Sequence, residues 1–277
     1  MHKTFNRPPI YYFHAQKRYV ISKRLAWFGE APDKNFWYEY WKHKLENNYF
    51  EGLNNLNLTR SPLGKIFIRT LAKNGKHLEA GCGIGQWVYT LGNMGYEIEG
   101  IENSVDLVNL INSRNLKIPI EKGDVLAINK HDNYYSSYIS LGVVEHNFDG
   151  PDLFLKEAYR VLIPGGRLII SVPYFGPLRM LRAKIGSYET ECPNAPFFQY
   201  GFTKNEFSNL IRRAGFTLEY THLLGDIDRL LQEESKTYNF LSHQRGGNWL
   251  RKLTKSVFGF ADGHMILFVG KKPDELY

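Results

Sequence analysis

From about residue 76 to residue 172, short apolar runs alternate with longer amphipathic stretches. Short runs rich in β-branched and aromatic residues read as buried strands. Apolar positions spaced three and four apart read as helices. The pattern predicts strands near 76–80, 97–102, 117–122, 135–141 and 167–172, with helices near 84–94, 104–114 and 151–162 between most of them. Such alternation implies a parallel sheet with helices on both faces. Upstream, Ser61-Pro62 opens a helix over 63–73, which Asn74-Gly75 would stop. Downstream, Thr203 and Glu206 form a capping box for a helix that ends at Ala214-Gly215. A strand over 216–222 follows, and HMILFVGKK, 264–272, supplies the last strand.

Three stretches break the alternation. Residues 1–60 are irregular, except that Trp37, Tyr40, Trp41, Leu45 and Tyr49 form the stripe of an amphipathic helix. Residues 174–200 hold Pro177, Pro193 and Pro196 and show no period, so they read as loop. Residues 225–258 read as partly helical, with a break at Gly246-Gly247. We expect a basic, aromatic N-terminal extension over 1–60. A main domain follows over 61–277, with insertions at about 174–200 and 225–258, and these additions form a lid.

The chain has 277 residues, 43% hydrophobic and 23% charged, the balance of a soluble globular protein. Its formal net charge is +7, and the first sixty residues hold ten Lys or Arg against five Asp or Glu. A basic segment can meet phosphates, acidic substrates or a membrane surface. The interspersed acids favour a plain solvated surface. Two cysteines are too few for a disulfide scaffold and suit a reducing compartment. No run of eighteen apolar residues appears, and MHKTFNRPPIYYFH lacks the apolar core of a secretory signal. A cytoplasmic location is therefore expected.

The candidate chemistry lies in HLEAGCGIGQW, 77–87. Glycines there let the backbone turn sharply and let a ligand approach without a Cβ in the way. The helix that follows points free N–H groups at the same crevice. A dinucleotide fingerprint needs G-x-G-x-x-G. Its last glycine would fall at Gln86 or Val88, so neither frame fits. A P-loop fails too, since no Gly-Lys-Ser/Thr follows.

This stretch resembles the first motif of class I S-adenosylmethionine-dependent methyltransferases, an acid followed by G-x-G-x-G. The resemblance extends to EIEGIENS, where Glu102 ends the second strand, to KGDVLAI (122–128), to YYSSYISLGVVEHN (134–147) and to AYRVLIPGGRLIISVP (158–173). The last is typical of the small-molecule type. It implies a doubly wound, mostly parallel seven-stranded sheet, Rossmann-like, with an antiparallel last strand. It also implies that S-adenosyl-L-methionine is bound by Glu79, Gly81, Cys82, Gly83, Gly85, Gln86, Glu102, Asn103, Asp124, Val125, Leu141 and Gly142. In the family the carboxylate at Glu102 takes both ribose hydroxyls, as its two acceptor oxygens allow. Asp124 meets the adenine amino group, and the Val125 N–H meets a ring nitrogen. Glu79 departs mildly from the commoner Asp, but a longer carboxylate can reach the methionine ammonium through water. The strong resemblance covers about 62–173, and 203–272 follows by element order. Residues 1–60 and 174–200 lie outside it.

A sulfonium cofactor needs little machinery. Holding the nucleophile in line, about 3–3.5 Å from the methyl, provides most of the acceleration. A base is needed only if the nucleophile must lose a proton. His146, just past the fourth strand, is the candidate catalytic base; a structural histidine is the alternative. Tyr174 and Tyr200 border the inserted segment and are candidates for the acceptor pocket, or for packing. The Asn/Asp-Pro-Pro-Tyr loop of amino-methylating enzymes is replaced by SLGVVEH, 140–146. Cys192 precedes Pro193, the wrong context for a cytosine C5 nucleophile. No His, Cys and carboxylate set has metal-ligand spacing. The reading is methyl transfer to O, N or C of a small-molecule or lipid-like acceptor, with nucleic acid disfavoured. An RNA or protein methyltransferase and a non-catalytic binding subunit of the same fold remain as alternatives.

Overall fold

The computed structural model describes residues 17–29, 36–45, 50, 53, 58–114, 116–225, 230–231, 236–244, 246–258 and 263–274. In chain order the strands are β1 (Lys17–Ile21), β2 (Arg24–Phe28), β3 (Lys76–Ala80), β4 (Glu97–Glu102), β5 (Ile120–Lys122), β6 (Tyr135–Leu141), β7 (Leu162–Pro173), β8 (Phe197–Gly201), β9 (Thr217–Leu224) and β10 (Met265–Lys271). The helices are α1 (Phe36–Leu45), α2 (Pro62–Thr70), α3 (Gln86–Gly92), α4 (Val105–Asn112), α5 (Asp152–Val161), α6 (Pro177–Lys184), α7 (Lys204–Arg213), α8 (Lys236–Ser242) and α9 (Gly247–Phe258), with a 3-10 turn at Val144–His146. The chain divides into two compact units. A sheet unit takes residues 32–172, 205–222 and 267–277, and an accessory unit takes 1–31, 173–204 and 223–266. Helix α1, which falls in the N-terminal extension read from sequence, thus belongs to the sheet unit. Tyr49 of its apolar stripe lies outside the described residues.

The large sheet has the order β5-β4-β3-β6-β7-β10-β9. β3, β4, β5, β6 and β7 pair in parallel. The Tyr174 N–H donates to the His264 carbonyl, and the Gly165 N–H to the Lys272 carbonyl. The numbering falls on one side as it rises on the other, so β10 runs antiparallel to β7. This is the architecture expected from the alternating pattern. The centre is apolar because strands covered on both faces must be. Leu78, Tyr138, Ile139, Leu168 and Ile169 are all buried. Local chemistry sets the helix starts. The Ser61 Oγ accepts the Gly64 N–H at the head of α2, and the Ser104 Oγ accepts the Leu107 N–H at the head of α4.

Sequence reading missed three features. β7 begins at Leu162 rather than 167, taking in Pro164-Gly165-Gly166 beside a register shift opposite Tyr135 and Ser137. β5 is only three residues long, short of the 117–122 run. Residues 174–200, read as loop, hold α6 and β8. Pro177 there opens a helix instead of breaking one, because a missing N–H costs nothing in the first turn.

The accessory unit is a second, three-stranded sheet, β1-β2-β8. The β1–β2 hairpin turns at Ser22 and Lys23, both at positive φ (50° and 69°), the twist that suits a two-residue hairpin loop. Leu25, Trp27, Phe175, Tyr188 and Phe198 form its core. The Arg179 side chain is fully buried there, with its guanidinium 5.4 Å from the Trp27 ring centroid and one N–H on the Tyr174 carbonyl at 2.7 Å.

Candidate functional site

Strand order reverses between β3 and β6, and in a doubly wound sheet ligands bind outside the carboxyl ends at such a point. The loop after β3 holds Gly81, Gly83 and Gly85 at φ +74°, +54° and +71°, the left-handed region that favours glycine. The sequence reading gave these glycines two tasks, a sharp backbone turn and room for a ligand to approach. The structure fills that space with the protein itself. A Cβ on Gly81 would come within 2.6 Å of Val143 Cγ2, and one on Gly83 within 2.8 Å of Trp41 Cε2. A Cβ on Gly85 would overlap the Ile120 side chain. Backbone twist and close packing therefore require all three.

Two carboxylates organise the loop. Glu79, on β3, is buried, and its Oε2 accepts the Val88 N–H at 3.2 Å. Gly85 has no side chain to cap α3, so Glu79 satisfies one of the helix's free N–H groups from the sheet. Burial pushes its carboxyl up to about 8, against the pull of that hydrogen bond. Glu102, at the end of β4, is half-buried. Its Oε2 accepts the Gly83 N–H at 3.1 Å, and its Oε1 accepts the Ser104 N–H at 3.0 Å. Burial raises its pKa, opposed by these backbone donors. Glu102 thus ties the glycine loop to the start of α4.

Helix α1 covers this end of the sheet unit. Trp41 lies on Gly83, and the Trp37 ring meets the His146 ring edge-on, centroids 5.3 Å apart. The Arg114 guanidinium donates to the Leu45 carbonyl at 3.4 Å. The apolar stripe read from sequence therefore faces the glycine loop and the end of β6. Periodicity finds such a helix but not its target. Sequence reading also passed over Glu145, next to His146 in the 3-10 turn. Glu145 is 2% exposed, its Oε2 has no hydrogen-bond partner among the described residues, and burial pushes its carboxyl up to about 8. The available signal was an acid following Val143-Val144 in an otherwise apolar turn.

The remaining candidates lie as follows. The Cys82 side chain is buried against Gly100 of β4, and burial raises its thiol pKa, so only its backbone can meet a ligand. Gln86 opens α3, half-buried. Asn103 is exposed beside Glu102. Asp124 is exposed in the turn after β5, where its Oδ1 accepts the Leu126 N–H at 2.9 Å; Val125 is half-buried next to it. Leu141 and Gly142 close β6, and the Gly142 N–H is held by the Ser171 carbonyl. The sheet unit thus holds the glycine loop, Glu79, Glu102, Asn103, Asp124, Val125, Leu141, Gly142 and His146 at the carboxyl ends of β3 to β6. Tyr174 and Tyr200 belong to the accessory unit. The Tyr200 ring is buried beside Phe197, under the Arg24 guanidinium.

The fold is that of the doubly wound α/β proteins, in which ligands bind at the switch point. Residues 78–170 match the family model described as a methyltransferase domain. A Mycolicibacterium smegmatis protein described as a probable S-adenosylmethionine-dependent methyltransferase is 27% identical over 147 residues. That alignment covers 52% of this chain and 52% of the relative, so the chain matches about half the relative's length. A SAM-dependent methyltransferase from Methanosarcina mazei superposes with a TM-score of 0.53 at 17% identity, over 76% of this chain and 98% of that one. A chain of the Haloferax volcanii complex that contains the Trm112 methyltransferase activator gives 0.57 at 16% identity, over 90% and 100%. The [4+2]-cyclase SpnF gives 0.50 at 17% identity, over 76% and 79%. Residues 78–170 thus match a methyltransferase domain, and the chain resembles S-adenosylmethionine-dependent methyltransferases in sequence over about half its length and in fold.

Proposed function

We propose that the chain binds S-adenosyl-L-methionine at the carboxyl ends of β3, β4 and β6 and moves its methyl group to O, N or C of a small-molecule or lipid-like acceptor. One observation carries the reading. A half-buried carboxylate, Glu102, is fixed by two backbone N–H groups at the rim of the glycine loop. A carboxylate offers about four lone-pair sites. Two are used here, which leaves capacity for the paired hydroxyls of a ribose. Asp124, exposed one strand further along, is available to an adenine amino group. The cofactor, when bound, supplies an electrophilic methyl on a sulfonium, and the chain's residues do the rest. Glu79 keeps α3 and the loop in register through the Val88 N–H. Trp41 closes the Gly83 side and excludes water there. His146, half-buried and oriented by Trp37, is placed to take a proton from an acceptor hydroxyl or amine.

The fold alone does not decide the chemistry, as the cyclase of similar fold shows. Titration calorimetry with S-adenosyl-L-methionine and S-adenosylhomocysteine is expected to show one saturable site, with no heat from NAD. A folded protein that binds neither compound overturns the reading. Transfer of radiolabelled methyl to a panel of hydroxyl- and amine-bearing acceptors then tests the chemistry. With a working acceptor, His146→Ala is expected to lower kcat about a hundredfold or more while leaving cofactor affinity unchanged. Full activity would demote His146 to a structural role.

A further inference from the structure

The accessory helices expose several large apolar side chains. Leu181 and Ile185 are exposed on and just after α6, Phe240 on α8, and Trp249 and Leu253 on α9, with Trp249 at 64%. α8 and α9 pack as a pair, with the Tyr238 hydroxyl 2.8 Å from the Thr254 Oγ1. Thr254 is buried, which fixes the rotation of α9. At 3.6 residues per turn, Trp249, Lys252 and Leu253 then share an arc of about 100° on the opposite side. All three are exposed.

The charge on these helices is of one sign. α6, α8 and α9 contain Arg179, Arg182, Lys184, Lys236, Arg251, Lys252 and Lys255, and no Asp or Glu. The whole accessory unit holds 16 Lys or Arg against 8 Asp or Glu, a net charge of +8. The sheet unit holds 19 against 20, a net charge of −1. The protein's entire basic excess thus sits in the unit that carries these accessory helices. A second copy of this face would set like charges against each other. An anionic lipid surface offers what both features need: a boundary in which Trp and Leu bury, and negative headgroups for the cations. Among the described residues no helix is long and apolar enough to cross a membrane, so such a contact lies along the surface.

We propose that the α8–α9 pair docks the accessory unit onto an anionic lipid bilayer, with Trp249 and Leu253 entering the headgroup boundary and Lys236 and Lys252 meeting the headgroups. This surface is separate from the proposed cofactor site and does not depend on it. A cation at such a surface is worth about a fivefold factor in partitioning.

The test is sedimentation of the full chain with vesicles of phosphatidylcholine alone and of phosphatidylcholine with phosphatidylglycerol. Binding to the anionic vesicles only, weakened by salt and accompanied by a blue shift of tryptophan emission, is expected. Trp249→Glu with Leu253→Glu should weaken it at least tenfold, and Lys252→Glu about fivefold or more. Both variants should keep the wild-type circular dichroism and S-adenosylhomocysteine affinity, because the changed side chains are exposed. The emission shift should vanish in Trp249→Phe. Three results overturn the proposal: no binding to either vesicle, equal binding to both, or anionic binding that the double variant leaves intact. So does dimerisation or RNA binding through this face in place of lipid. Cofactor binding without vesicle binding would sink the docking and leave the proposed function standing.

Discussion

Trp41 lies against Gly83 so closely that a Cβ on that glycine would come within 2.8 Å of Cε2 and 2.9 Å of Cζ2. An N-terminal helix thereby contributes a wall to the glycine loop, and the two positions are coupled. Gly83→Ala is expected to cost the left-handed strain, about 1–2 kcal/mol, plus the clash. In a Trp41→Ala background the clash is gone and only the strain remains. A double-mutant cycle by urea denaturation should therefore give a coupling energy of about 1 kcal/mol. Additive losses would show that Trp41 does not rest on the loop in solution.

Glu102 accepts backbone N–H groups from two segments, so removing it frees both the loop and a ligand's partner. Hydrogen bonds to a charged group are worth about 1.5–3 kcal/mol. Glu102→Ala is expected to weaken S-adenosylhomocysteine binding about tenfold to a hundredfold, read by calorimetry. Unchanged affinity would place the site elsewhere.

Glu145 predicts a pH effect. Its carboxyl lies near 8 in the fold and near 4.5 when exposed. Between these values the folded state holds a proton that the unfolded state has released. Its stabilising share is therefore complete below about pH 4.5 and is lost as pH rises through about 8. Glu79 acts in the same direction. Glu145→Gln removes one of these protons. The fall of unfolding free energy between about pH 5 and 8 should become shallower by up to about 1.4 kcal/mol per pH unit. The variant's stability relative to wild type should thus improve towards pH 8. An unchanged slope would mean that Glu145 is ionised in the fold.

Lys272, just past the last strand, is a buried cation. Its Nζ donates to Asn133 Oδ1, the Tyr159 carbonyl and the Leu162 carbonyl, at 2.7–2.8 Å. Lys272→Met keeps the length and strands those acceptors. A loss of about 2–3 kcal/mol in urea denaturation is expected, with cofactor affinity kept. A loss below about 0.5 kcal/mol, the level of an ordinary surface change, would show the bonds to be idle.

Much of this protein is written in its local sequence. The strands from β3 to β6 and their intervening helices follow from period and punctuation, since a buried strand must be apolar and a helix must begin at a cap. The placement of Glu102 and Asp124 was legible because one ends a strand and the other follows one by two residues, and strand ends of a doubly wound sheet lie at the crevice. Tertiary structure decided the rest, because it turns on what distant residues bring. The helix carrying Trp37 and Trp41 was visible, but only packing could aim it at Gly83 and His146, more than forty residues away. The hairpin β1–β2 lacks a two-residue alternation strong enough to stand alone and takes its order from pairing with β8. Glu145 looks like any other acid in sequence, and only its enclosure raises its pKa. Sequence fixes which backbone conformations are cheap; burial and contact are sums over the whole chain, so they exist only once it has folded.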